Sequence, residues 1–333
     1  MKAIALLSGG LDSTLAAKVL LDQGIELEAI NFLTVFCTCT KGGETCLASQ
    51  KAVEALGISL KVFNVSEEFL EIVKHPRHGY GSNMNPCIDC RIFMLKKAKA
   101  RMESTGASFI VTGEVLGQRP MSQRRDAMRQ TEKESGLDGL ILRPLSAKFL
   151  PPTLPEQQGW VDREKLLGIQ GRSRKEQMKL AAQFGIHDYP CPAGGCLLTD
   201  PGFAHRIRDL MNHHPDFSIN DVHLLKVGRH FRLSPALKLI VGRNEEENQK
   251  VQTFAREGDL LLKMLHRPGP LSLLRGKAEE EEIRTAAAIT ARYSKAMDSE
   301  ETEVECREVS SDASWAVSIK PALEAELKDR MIS

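Results

Sequence analysis

The sequence predicts an α/β protein whose first half is a doubly wound parallel sheet and whose last third is a smaller α+β domain. Three observations predict it: short apolar runs alternate with stretches of helical period as far as residue 145, a glycine-rich loop follows the first run, and beyond residue 219 short strands and tight turns take over. The first strand covers 3–7, and a helix over 14–23 ends at Gly24. A second strand covers 27–36, and a helix over 47–56 stops at Gly57. The third strand is 60–65, a helix over 91–104 stops at Gly106, the fourth strand is 109–112 and the fifth 140–143. Pro151, Pro152 and Pro155 then carry the chain off the sheet, before a helix at 175–184, a turn-rich loop at 189–196 and a helix at 203–212. The later region holds strands at 237–241 and 259–264, a turn at 268–270 and a helix at 279–295. The expected domains are therefore 1–218, including a cysteine loop at 186–200, and 219–333.

A chain of 333 residues with 42% hydrophobic content has room for about two domains. Its 45 Lys plus Arg balance 44 Asp plus Glu, so no global positive charge points to nucleic acid, and such a partner has to be sought in local patches. The apolar run at 3–7 is broken by Ser8, too early for a signal peptide, and no run is long enough for a membrane span, which makes a cytoplasmic protein with no membrane partner the expectation. In that compartment the eight cysteines are expected to bind metal or react rather than pair.

The string Ser8-Gly9-Gly10-Leu11-Asp12-Ser13-Thr14 joins the first strand to the first helix. Two glycines admit close approach of a ligand, the hydroxyls of Ser8, Ser13 and Thr14 can donate, and a helix N-terminus adds N–H groups, so the loop is an anion site. It lacks the lysine and glycine spacing of a Walker A loop and the three glycines of a dinucleotide fingerprint. The string resembles the PP-loop of the N-type ATP pyrophosphatases, which share the adenine nucleotide alpha-hydrolase fold. The resemblance implies ATP bound by Ser8, Gly9, Gly10, Asp12, Ser13 and Thr14, with Asp12 holding Mg²⁺ or orienting pyrophosphate, and cleavage between the α- and β-phosphates. At the end of the fourth strand, Val111-Thr112-Gly113-Glu114 with Gly117-Gln118 resembles a motif of the tRNA 4-thiouridine synthases, as does the stretch from Leu140 to Leu145, which implies that Gly113 and Gln118 also line the nucleotide site.

Cys87-Ile88-Asp89-Cys90 places two thiols one turn apart at a helix start, where the N-terminus is expected to lower their pKa. Such a pair fits a redox couple, half a zinc site or part of an iron–sulfur site. With Cys196 in the later loop, it resembles the iron–sulfur-dependent tRNA thiolases, in which three cysteines hold a 4Fe-4S cluster. The resemblance implies Cys87, Cys90 and Cys196 as ligands, with Cys191 competing for the third place, and sulfur carried at an open iron or as a persulfide on Cys87 or Cys196. Cys37, Cys39 and Cys46 follow the second strand and fit a zinc site, a sulfur relay or buried thiols, while Cys306 reads as a small core hydrophobe.

Basic residues cluster at 91–101, at 119–129 and at 172–175, and can neutralise RNA phosphates beside the crevice. In the last region, Gly228-Arg229-His230-Phe231-Arg232, the segment 241–248, Pro268-Gly269-Pro270 and 286–295 resemble the RNA-binding domain of NFACT proteins. Together the resemblances imply a tRNA-uridine sulfurtransferase that uses ATP and takes sulfur from sulfide or from a cysteine desulfurase persulfide. Two other readings fit the same residues: a PP-loop enzyme of amidation or nitrogen transfer, and a non-catalytic, zinc-stabilised RNA-binding protein.

Overall fold

Ala3, Ala5 and Leu7 pack on one face of the first strand and Ile4 on the other, as the two-residue period of a strand covered on both sides requires. The computed structural model describes residues 1–38, 47–189, 196–295, 301–311 and 313–332. The chain divides into two compact units, Met1–Leu197 and Leu198–Ser333.

The first unit contains β1 (Lys2–Leu6), α1 (Leu11–Leu21), β2 (Glu26–Leu33), α2 (Leu47–Leu56), β3 (Ser59–Asn64), α3 (Ser66–Lys74) and α4 (Cys87–Thr105). It continues with β4 (Phe109–Thr112), α5 (Arg125–Ser135), β5 (Ile141–Leu142), α6 (Leu154–Gln157) and α7 (Lys175–Gln183). Among the described residues its five strands are parallel, in the order β3-β2-β1-β4-β5. Leu11, Leu15, Ala52 and Ala181 pack on one face of the sheet, and Leu95, Ala98 and Met102 on the other, so α1, α2 and α7 lie opposite α4. The winding direction reverses between β1 and β4, and the crevice at the carboxyl ends of those two strands is where such sheets bind ligands. Among the helices not expected from the sequence, α3 buries Phe69, Leu70 and Val73, and α5 buries Ala127 and Met128, each a short stripe within a charged segment. The second strand ends earlier than residue 36, because the Cys37 N–H turns back to the Thr34 carbonyl at 3.0 Å.

The second unit begins before the expected boundary at 218/219. Asp209 on α8 (Pro201–His213) pairs with Arg232 and Lys238, which ties that helix to the strands that follow. After α9 (Ile219–Leu225) come β6 (Arg229–Ser234), β7 (Leu237–Val241), α10 (Glu245–Thr253), β8 (Leu260–Met264) and β9 (Ser272–Arg275). Then follow α11 (Glu280–Arg292), β10 (Thr302–Glu308), β11 (Ser314–Ile319) and α12 (Glu324–Lys328). Among the described residues the sheet is antiparallel in the order β11-β10-β8-β9-β7-β6, with Ala286, Ala287 and Ile289 of α11 packed against Phe231, Leu262 and Val304. Cys306 is buried in this core, where desolvation pushes its thiol up to about 11. Among the described residues no helix is long and apolar enough to cross a membrane.

Candidate functional site

The loop between β1 and α1 is held by close backbone packing. Gly9 has φ +74°, and a Cβ there would lie 2.3 Å from the Ala48 carbonyl carbon, so only glycine fits beneath α2. Gly113, at the end of β4, sits against the start of α1, where a Cβ would meet the Ser13 nitrogen at 2.4 Å. No side chain caps α1 at Gly10, which leaves its N-terminus open to an anion. The Ser13 and Thr14 hydroxyls donate to the Gly10 carbonyl at 2.9 and 3.1 Å, and Ser8 Oγ lies 3.2 Å from Ser13 Oγ. Of the three hydroxyls expected to serve a ligand, Ser8 is exposed, while the other two brace the loop.

Asp12 accepts a hydrogen bond from Gln118 Nε2 at 2.8 Å on Oδ2, while its buried Oδ1 makes no hydrogen bond among the described residues. An orphaned carboxylate oxygen beside a helix N-terminus is hard-donor chemistry that fits a divalent cation shared with phosphate. Gln177 on α7, fully buried, donates to Gln118 Oε1 at 3.4 Å and so backs the Asp12 contact. Nothing local in the sequence singles out Gln177, because it reaches Gln118 only through the fold.

Glu114 is 1% exposed and sits between two guanidinium groups. Arg91 Nε donates to its Oε1 at 2.7 Å and Arg143 Nε to its Oε2 at 2.8 Å, and the Thr112 hydroxyl adds a bond of 3.1 Å. Burial alone would raise its pKa, but the two arginines outweigh burial and hold the carboxyl at about 2. The carboxylate thereby ties β4 to α4, the helix that carries the C-x-x-C thiols.

Cys87 opens α4 and accepts a hydrogen bond from the Asn85 amide at 3.0 Å, and Cys90 follows one turn later. The lowered thiol pKa expected at a helix start is not what the structure gives. Burial pushes Cys87 up against the opposing pull of Arg119 and Arg91, and pushes Cys90 up further, helped by the nearby thiols of Cys196, Cys87 and Cys37. Cys196 lies in an antiparallel bridge with Cys37, so the fold gathers Cys37 with the expected cysteine set. Cys39, Cys46 and Cys191 lie outside the described residues. Among the described residues no three His, Cys, Asp or Glu side chains converge tightly enough to hold a single metal ion. The soft sulfur donors suit an iron–sulfur cluster, which spans more space than one ion.

The basic run on α4 is largely spoken for: Arg91 pairs with Glu114, Lys97 with Glu68 and Arg101 with Glu28. Arg119 and Arg129 are exposed beside the β4 loop, as are Arg124, which pairs with Asp126, and Arg125, which donates to the Phe149 carbonyl; Arg172 and Lys175 are exposed too. In the second unit Arg229 stacks 4.4 Å over the Tyr293 ring, and Trp315 is 40% exposed on the edge strand β11. His230, in the segment resembling the NFACT domain, is buried and serves the core.

Residues 1–148 match the family model described as thiamine biosynthesis protein (ThiI), and residues 228–331 match the NFACT protein RNA binding domain. The two matches fall one in each compact unit. The first matched stretch holds the Gly9–Gly10 loop, the β4 motif and the C-x-x-C pair. A probable tRNA sulfurtransferase of Ureaplasma parvum is 32% identical over 151 residues, which are 44% of this chain and 37% of that protein. A tRNA-specific 2-thiouridylase MnmA of Pelotomaculum thermopropionicum is 30% identical over 170 residues, 45% of this chain and 46% of the relative. The chain thus spans less than half the length of these relatives. A solved 4-thiouridine synthetase–RNA complex with bound ATP shares 20% identity, covering 68% of this chain and 52% of that one at a TM-score of 0.39.

Proposed function

We propose that the protein is an ATP-dependent tRNA sulfurtransferase that adenylates a uridine carbonyl oxygen and replaces it with sulfur. The observation that carries this reading is the meeting of an uncapped, glycine-built anion loop and a group of thiols at the carboxyl edge of one parallel sheet. The named relatives and the RNA-binding region support it from outside the site.

The α1 N-terminus and the backbone of Gly9 and Gly10 would bind the ATP phosphates, with Gly113 lining the same crevice. Asp12, oriented by Gln118, offers its unpartnered Oδ1 to Mg²⁺, which when bound offsets phosphate charge as pyrophosphate departs. The uridine oxygen attacks the α-phosphate, and sulfur then displaces AMP from the activated carbon. Cys87, Cys90 and Cys196 would hold a 4Fe-4S cluster, whose chemistry is to present sulfur, while Arg119 stands near Cys87 at the surface where an RNA phosphate can approach. The target base has to be unstacked to reach this crevice. Sulfide, or a persulfide from a cysteine desulfurase, is the expected donor.

The test is release of AMP and pyrophosphate by the full chain with ATP and Mg²⁺, with and without unmodified tRNA. Release should depend on tRNA, and Asp12→Asn should lower it by a hundredfold or so, on the order of one lost electrostatic contact in a transition state. Release unaffected by tRNA and by Asp12→Asn would reject the reading. Anaerobic iron–sulfur reconstitution should give a broad visible absorption that Cys90→Ala abolishes.

A further inference from the structure

Cys37 and Cys196 face each other in an antiparallel bridge, and both are half-buried thiols. The Cys37 N–H donates to the Thr34 carbonyl at 3.0 Å, and the Leu197 N–H to the Phe36 carbonyl at 2.9 Å, so the backbone bonds flank this pair rather than join it. In such a non-hydrogen-bonded pair the Cα atoms are about 4.5 Å apart and the side chains come closest. A disulfide needs Cα atoms roughly 4.4 to 6.8 Å apart, so the bridge already has the spacing of a cross-link. Cys37 Sγ also accepts the Thr34 N–H at 3.3 Å and lies 3.5 Å from the Thr34 hydroxyl, contacts that hold its side chain in place at the strand end.

We propose that Cys37 and Cys196 are a reversible disulfide-forming pair whose closure takes Cys196 away from Cys87 and Cys90. A small disulfide such as oxidised glutathione supplies the oxidising equivalents. The Cys37 thiolate attacks one of its sulfurs, forming a mixed disulfide and releasing one glutathione thiolate. The Cys196 thiolate then attacks the Cys37 sulfur, forms the protein disulfide and expels the second glutathione. Two protein thiols give up two electrons and two protons, and one glutathione disulfide becomes two glutathione molecules. The pairing itself needs neither nucleotide nor RNA. Its consequence, that a closed pair blocks ligation by Cys196, rests on the cluster reading above.

The pairing is tested on the full chain before any iron is added, equilibrated in glutathione redox buffers, alkylated and mapped by peptide mass spectrometry. The expected product is a peptide pair linked through Cys37 and Cys196, reversed by dithiothreitol, and replaced in Cys37→Ser by glutathione on Cys196. Linkage of Cys196 to Cys87, Cys90 or Cys191, linkage of Cys37 to Cys39, or full alkylation of both thiols in fully oxidised buffer would overturn it. None of those outcomes touches tRNA-dependent pyrophosphate release, so the two readings fail separately. For the consequence, protein oxidised before reconstitution should take up several-fold less iron than reduced protein, and reduction of the mapped Cys37–Cys196 disulfide by dithiothreitol should restore the uptake. Equal loading of oxidised and reduced wild type would overturn that part.

Discussion

Glu114 balances the buried guanidinium of Arg143 and the partly buried one of Arg91, and its removal should be felt throughout the first unit. Glu114→Gln leaves Arg91 and Arg143 facing a neutral amide, and breaking a buried pair in this way costs about 3–5 kcal/mol, read as a lower denaturant midpoint at unchanged slope. Its carboxyl is held at about 2 against an ordinary 4.5, so its contribution is full above the ordinary value and fades as pH falls toward the lower one. Glu114→Gln should therefore flatten the acid limb of the stability curve. His78 works in the opposite sense. Its Nδ1 lies 2.9 Å from Asp89 Oδ1 and its Nε2 3.0 Å from Glu134 Oε1, and the bond to Asp89, against the opposing effect of burial, raises its pKa above 6.5. The charged imidazole stabilises the fold fully below 6.5, and that contribution is lost as pH rises through the raised value. Thermal midpoints measured across pH should show this alkaline loss in the wild type and lack it in His78→Gln. The Ser8–Thr14 loop could be read directly because its glycines, hydroxyls and acid are contiguous. The Glu114 clamp, the Gln177 support and the Cys37–Cys196 bridge could not, since each joins side chains brought together only by tertiary packing.

Among the elements, α4 joins the thiols at its start to the sheet along its length. Leu95, fully buried between β-strand residues Ile4, Ile30 and Ile110, anchors that contact. Leu95→Ala should cost about 2–5 kcal/mol, measured by urea unfolding, because it deletes buried methyl groups and leaves a cavity. Strands β1 and β4 were legible because near-continuous apolar runs mark strands buried on both faces. Helices α3 and α5 were hidden by their charge, since each buries only a few positions and packs on α4 rather than forming a long apolar stripe. The basic face expected on α4 was overstated for a related reason: Glu28 and Glu68, which pair with Arg101 and Lys97, come from other elements.

On the scale of the whole molecule, a formal charge of +1 conceals local surplus. Exposed Arg119, Arg124, Arg125 and Arg129 stand beside the β4 loop in the first unit, and the second unit holds the stretch that matches the NFACT protein RNA binding domain. If tRNA is held by phosphate contacts there, log K should fall linearly with log salt, and Arg119→Ala with Arg129→Ala should reduce the slope by about one to two. An unchanged slope would place the RNA elsewhere. The central claim is the exchange of oxygen for sulfur on a tRNA base, and nucleoside mass spectrometry tests it most directly. Unmodified tRNA incubated with the reconstituted full chain, ATP, Mg²⁺ and sulfide should yield one thiolated uridine, with AMP and pyrophosphate formed in equal amount. Pyrophosphate release with no thiolated nucleoside, or with an aminated base when ammonia replaces sulfide, would contradict the account.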